Sequence, residues 1–213
     1  MSIGGVTRKL LGKNFNSVGK IYRAFFVNVD TFIACIPKFE KGEILIDIGS
    51  GDGEILDKIL TQNPNIKAIA IDISPKIGGM IKDKNLPRVQ LFPSYSIQQY
   101  KNSLEFKDAK YLILSDVLHH IPKNRRDDFF DELFLLCNRK TNLIIKDVEP
   151  GFLKATLSLL ADKYISGDKQ TSLISQNEVI GQIKNRCPQV TIKKTPLFEN
   201  NPPNYCLVFK NFA

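Results

Sequence analysis

Three carboxylates and three glycines crowd one short stretch of this chain, Asp47-Ile48-Gly49-Ser50-Gly51-Asp52-Gly53-Glu54, directly after the apolar run Ile44-Leu45-Ile46. A strand that ends in such a turn brings bare backbone close to a ligand, because glycine reaches positive φ and has no Cβ to obstruct the approach. The spacing is not that of the dinucleotide fingerprint G-x-G-x-x-G: its third position falls on Glu54, and Gly53 lies one residue early. Charge argues the same way. A pyrophosphate needs uncovered N–H donors at a helix N-terminus, whereas Asp47, Asp52 and Glu54 would repel it, so a cationic ligand fits the turn better. Asp72 ends the next apolar run, about 20 residues past the first glycine, where a carboxylate can accept both hydroxyls of a ribose. Alone it reads as a cap or turn residue; beside the glycine turn the ribose role is preferred.

A second constellation is Asp116-Val117-Leu118-His119-His120-Ile121-Pro122, which contains the only two histidines of the chain. Imidazole titrates in the range of a general base. Adjacent side chains rarely share one task, so one histidine is expected to face a ligand cleft and the other to make a structural hydrogen bond. The alternative is that both orient the loop. Asp147 and Glu149 follow a later apolar run and either orient a substrate or serve as turn and capping residues before Gly151. Cys35, Cys137, Cys187 and Cys206 are widely spaced with no C-x-x-C pair, so neither a zinc site nor a disulfide framework is expected, and a reducing cytoplasm is the simple location.

Short apolar runs alternate with helical stripes, the mark of βαβ units and a mostly parallel sheet. Strands are expected at Glu43–Ile48, Lys67–Asp72, Val89–Phe92, Tyr111–Ser115 and Asn142–Asp147. Helices are expected after the glycine turn through Leu60, from Ser74-Pro75 to about Lys82, and from about Asn124 to Cys137. A further helical stripe runs from Phe152 to Ile165. Val190–Ile192 and Tyr205–Phe209 read as two strands joined through the turn-rich Glu199–Asn204, an antiparallel ending. Ile21, Phe25, Val29, Phe32 and Ile36 mark an amphipathic helix in an N-terminal extension of some forty residues, either a lid over the cleft or a pack against the sheet.

The stretch Ile44 to Glu54 resembles motif I of the class I S-adenosylmethionine-dependent methyltransferases, and Asp116 to Pro122 resembles their fourth motif. The resemblance covers roughly Glu43 to Pro150. It implies an α/β, Rossmann-like three-layer sandwich with a mostly parallel seven-stranded sheet, its last strand antiparallel, and S-adenosylmethionine lying across the carboxyl ends of the first, second and fourth strands. By motif position Gly49 and Gly51, with Ser50 between them, line the methionine part; Asp47 anchors its amino group; Asp72 holds the ribose; Ile73 flanks the adenine; and Asp116 and Val117 pass near the methionine or the transferring methyl. His120 matches the histidine common in that motif and is read as mainly structural. His119, His120 and Asp116 are the candidate catalytic residues. The chain departs from the family after the third strand: an acidic residue often meets the adenine amino group there, but Pro93-Ser94-Tyr95-Ser96 leaves that task to Ser94 or Tyr95. Lys110 likewise replaces an aspartate common before the fourth strand, at a position read as structural.

With 213 residues, 43% hydrophobic and 24% charged, residues 1–213 are expected to form one methyltransferase domain, 1–40 as the extension and 41–213 as the core. No stretch is long and apolar enough to predict a membrane span. The net charge of +8 would suit nucleic acid, but the lysines and arginines are scattered and only pairs such as Arg125-Arg126 occur, so a solvated basic surface is favoured. A small-molecule methyl acceptor is therefore expected, with RNA or protein methylation, or a non-catalytic scaffold, as alternatives. Tyr22, Tyr95 and Tyr164 are either acceptor contacts or partly buried core aromatics.

Overall fold

The computed structural model describes residues 29–152, 171–194 and 204–212. Seven strands form one sheet: β1 (Ile44–Ile48), β2 (Lys67–Asp72), β3 (Val89–Pro93), β4 (Tyr111–Ser115), β5 (Asn142–Val148), β6 (Thr191–Lys194) and β7 (Asn204–Lys210). Their order is β3-β2-β1-β4-β5-β7-β6. The first five strands pair in parallel, and β7 runs antiparallel to both β5 and β6. The order reverses between β1 and β4, and the crevice above such a switch point is where open α/β sheets bind ligands.

The sheet is buried on both faces, and alternation along each strand sorts its side chains. Ile46, Ile48, Ile69, Ile71, Leu112, Leu114, Leu143 and Ile145 belong to one core cluster; Leu45, Ala68, Ala70, Ile113 and Ile144 belong to the other. The first cluster is covered by α3 (Ile97–Lys101), α4 (Arg126–Phe134) and α5 (Gln176–Arg186), which bury Tyr100, Phe130, Leu133, Val179 and Ile183. The second is covered by α1 (Val29–Cys35) and α2 (Glu54–Gln62), which bury Phe32, Leu56, Ile59 and Leu60. A three-layer sandwich results. Among the described residues no helix is long and apolar enough to cross a membrane.

The helix expected from Ser74 to Lys82 does not form. Its backbone donors go instead to the glycine turn: Gly78 N–H to the Gly51 carbonyl (3.0 Å) and Met80 N–H to the Asp52 carbonyl (2.7 Å). Gly78 is left-handed (φ 73°), which ends any helical run there. Ile81 packs so closely over Gly53 that a Cβ at 53 would stand 2.6 Å from Ile81 Cγ1. Downstream, Asn85 Nδ2 donates to Asp57 Oδ1 (2.7 Å) and Thr61 Oγ1 (2.9 Å), and Arg88 donates to the carbonyls of Leu60, Asn63 and Ile66. This polar clamp fastens residues 82–88 to α2.

Two helices absent from the sequence-based expectation carry capping signals. Ser96 and Gln99 form a reciprocal capping box at α3, and Ser175 Oγ accepts the Glu178 N–H at α5. The helix expected from Asn124 to Cys137 is shorter, a 3-10 turn at Lys123–Arg125 followed by α4. Arg126 is not part of a solvated surface: it is buried, and donates to Glu178 Oε1 (2.7 Å) and the Ser172 carbonyl (2.6 Å), tying α4 to α5. Lys110 is structural, paired with Glu43 at 2.5 Å. Most of the N-terminal extension, including Tyr22, the stripe 153–165 with Tyr164, and the connection 199–203 lie outside the described residues.

Candidate active site

The turn after β1 is shaped by positive φ and by the neighbouring strand. Gly49 N–H (2.8 Å) and Ser50 N–H (3.3 Å) donate to the Ile71 carbonyl, bending the chain over the end of β2. At Gly49 (φ 71°) an added Cβ would lie 2.6 Å from Val117 Cγ2, whereas at Gly51 (φ 53°) it would meet open space. Gly49 is thus required by both backbone and packing, whereas Gly51 faces open space. Asp72 latches the two turns together, Oδ2 accepting Gly51 N–H and Oδ1 accepting Ser74 N–H, both at 2.8 Å.

Two polar groups in this turn stay unsatisfied. Asp47 is only 5% exposed, and its carboxylate makes no hydrogen bond among the described residues. Burial, reinforced by the neighbouring Asp72 charge, pushes its carboxyl up to about 7. The Ser50 hydroxyl is buried without a partner among the described residues. Buried polar groups ordinarily find partners, and these two line the same cavity.

The loop after β4 is the opposite case. The 3-10 turn Leu118–His120 is held by Asp147, which accepts Leu118 N–H (2.9 Å), His119 N–H (3.3 Å), His119 Nδ1–H (2.7 Å) and Val148 N–H (2.7 Å). Burial pushes the Asp147 carboxyl up, but the His119 charge and hydrogen bond, with Val148 and Lys146, outweigh it and hold it below its usual range. His119 is buried, while His120 is exposed with its ring 4.2 Å from that of His119. Asp116 is left-handed (φ 59°) and paired with Lys146 Nζ at 2.5 Å. Asp116, His119 and Asp147 bring potential metal-ligand atoms within 4.8 Å of one another. Those atoms are already engaged by the Lys146 ammonium and by four N–H donors, so the arrangement is a hydrogen-bond network.

Two cavities meet over these loops. The smaller, about 350 Å³, is lined by Asp47, Ser50, Gly51, Asp52 and Glu54, with Val29 of α1 at its edge. The larger, about 610 Å³, is lined by Ile73, Tyr95, Ser96, Val117, Ile121 and Phe129, among others. Gly49, Asp72, Asp116 and His120 belong to both. One end is therefore acidic and the other largely apolar, with Ile73, 80% exposed, as an uncovered shelf.

Of the residues expected at the site, Asp47, Gly49, Ser50, Gly51, Asp72, Ile73, Tyr95, Asp116, Val117 and His120 line the cavities. Ser94 does not: it is exposed at φ 61° and spends its N–H on the Ser74 carbonyl, leaving Ser96 on the wall. The histidine roles are the reverse of the motif-based expectation, His119 being anchored and His120 facing the cavities. Asp147 lines neither cavity, and Glu149 accepts the Gln176 N–H at the start of α5 (2.8 Å). Lys146 is not among the expected site residues, although a lysine directly after the apolar run Leu143-Ile144-Ile145, within the same strand, is itself a signal.

No family model matches the chain. It is 26% identical over 165 residues to a tRNA (guanine-N(7)-)-methyltransferase of Mycoplasmopsis synoviae, covering 70% of this chain and 79% of that protein. Among solved structures it resembles an O-methyltransferase family protein from Burkholderia thailandensis (TM-score 0.66, 16% identity, 91% of this chain). The chain spans 57% of the length of that protein. It also resembles a SAM-dependent methyltransferase from Archaeoglobus fulgidus, with a TM-score of 0.64 and 15% identity over 89% of this chain and 98% of the other. The seven-stranded mixed sheet with its antiparallel ending matches these solved structures, and the chain has the Rossmann-like fold of the class I S-adenosylmethionine-dependent methyltransferases.

Proposed function

We propose that the chain is an S-adenosylmethionine-dependent methyltransferase acting on a small-molecule acceptor. The observation that carries this reading is Asp47, a buried carboxylate without a hydrogen-bond donor among the described residues, beside Asp72 in a cavity that opens onto an apolar shelf. A site of this kind favours a ligand with a cationic amino-acid end and a flat, uncharged end. S-adenosylmethionine fits the residues present: Asp47 and Ser50 would take the ammonium end, Asp72 the ribose hydroxyls, and Ile73, Tyr95 and Val117 the adenine, with Ser96 as its polar neighbour.

Bound there, the cofactor supplies a methyl group already activated on a sulfonium. The chain then has to align an acceptor and keep water out. His120, at the junction of the cavities, is placed to take a proton from a hydroxyl or amine acceptor, and Asp147 acts on it only indirectly by fixing the 3-10 turn that carries it. Isothermal titration with S-adenosylmethionine tests the reading: saturable binding is expected, and its absence from folded protein overturns it.

A second reading, an RNA acceptor, is favoured by the tRNA-methyltransferase relative and the net charge of +8. It predicts retention on RNA that weakens steeply with salt. Absent or salt-insensitive retention removes it.

A further inference from the structure

Lys146 is the only buried lysine among the described residues, with no solvent-accessible surface. It grips Asp116 at two points: Nζ donates to Asp116 Oδ1 at 2.5 Å, and the Lys146 carbonyl accepts the Asp116 N–H at 3.0 Å. Ser115 Oγ donates to the other carboxylate oxygen at 3.2 Å. Asp116 is one of three described non-glycine residues at positive φ, a conformation that persists only where the surroundings enforce it. Asp116 lines both cavities, and its side chain is 29% exposed.

We propose that Lys146 is a positioning residue: it fixes the Asp116 carboxylate on the wall shared by the two cavities, so that this carboxylate distinguishes a methylsulfonium from the neutral thioether left after transfer. The inference rests on reading the cavities as an S-adenosylmethionine site. In this arrangement Asp116 contributes charge and orientation, while His120 remains the group placed to accept a proton. A site with this property would release its product as the sulfonium charge disappears.

Isothermal titration of the full chain with S-adenosylmethionine and with S-adenosylhomocysteine tests the proposal. Wild type is expected to prefer the sulfonium, and both Lys146→Met and Asp116→Asn are expected to reduce that preference roughly five- to tenfold, the size of a nearby charge in a partly solvated site. A lysine that merely neutralised charge would give the opposite sign, a preference that grows in Lys146→Met. A lysine that only supported the fold would lower the melting temperature and leave the ratio unchanged. Either result overturns the proposal, as does a wild type that binds both ligands equally. If Lys146→Met does not fold, Asp116→Asn decides, an unchanged ratio there being fatal. Failure of folded wild type to bind either ligand overturns the cofactor reading itself, whereas binding with an intact ratio in Lys146→Met overturns only the role of Lys146.

Discussion

Asp47 and Asp147 stand at the carboxyl ends of β1 and β5, with β4 between them, and both are almost wholly removed from solvent. Asp147 accepts four N–H groups and is held below the ordinary carboxylate range, while Asp47 accepts none among the described residues and is pushed up to about 7. Burial acts on both in the same direction; hydrogen bonds and a histidine separate them. The difference teaches which acid builds the site and which one waits for a ligand. A satisfied buried carboxylate stabilises its surroundings, whereas an unsatisfied one costs stability until a cation arrives.

Replacing the satisfied member should have the largest effect. Asp147→Ala leaves His119 and the Leu118 amide without their acceptor, and is expected to cost about 3–5 kcal/mol in urea denaturation. A loss below about 1 kcal/mol would break the comparison. Asp72 lies between the extremes, since it both latches the turns and faces the cavities. Asp72→Ala is expected to weaken S-adenosylmethionine binding by roughly 30- to 100-fold in calorimetry, about 2–3 kcal/mol.

Asp47→Asn sharpens the contrast because its two effects have opposite signs. The folded-state value of Asp47 lies above the unfolded value of 3.8, so between about 4 and 7 the folded chain holds a proton that the unfolded chain has lost. Its contribution to stability is therefore lost as pH rises through that window. Asp47→Asn should remove this slope and stabilise the free protein at pH 8, by an amount on the order of a few kcal/mol. Cofactor affinity should behave conversely, tightening in wild type as pH rises through 7 and falling about tenfold in the variant. Denaturation and calorimetry at pH 5.5, 7 and 8 check both signs. The smallest effect is expected at Ser50: Ser50→Ala should leave stability within about 0.5 kcal/mol and weaken cofactor binding about threefold.

The glycine turn, Asp72 and the histidine segment were legible in the sequence because each lies directly after a strand, where chain direction alone delivers a residue to the carboxyl edge of the sheet. Ile73 and Val117 follow from the same rule. The rest depends on which group fills which bond. Ser94 and Ser96 flank Tyr95, yet a left-handed Ser94 turns outward and Ser96 turns inward, a choice made by the Ser74 carbonyl from another loop. Ser74-Pro75 carries a good helix start, but Gly51 and Asp52 capture the donors of the residues that follow. His119 and His120 are identical in type and adjacent, so only the acceptor twenty-eight residues away, Asp147, separates their roles.

By itself the sequence determined the parallel α/β sheet, the antiparallel ending and the acidic glycine turn, since periodicity, turn chemistry and charge are local properties of a chain. Only the tertiary structure decided that Asp47 stays without a donor, that Asp147 spends its oxygens on the β4 loop, and that Lys146 reaches across from β5 to hold Asp116. Those outcomes are contests for hydrogen bonds between strands far apart in sequence, and burial, which sets their strength, exists only once the sheet is closed over by its helices.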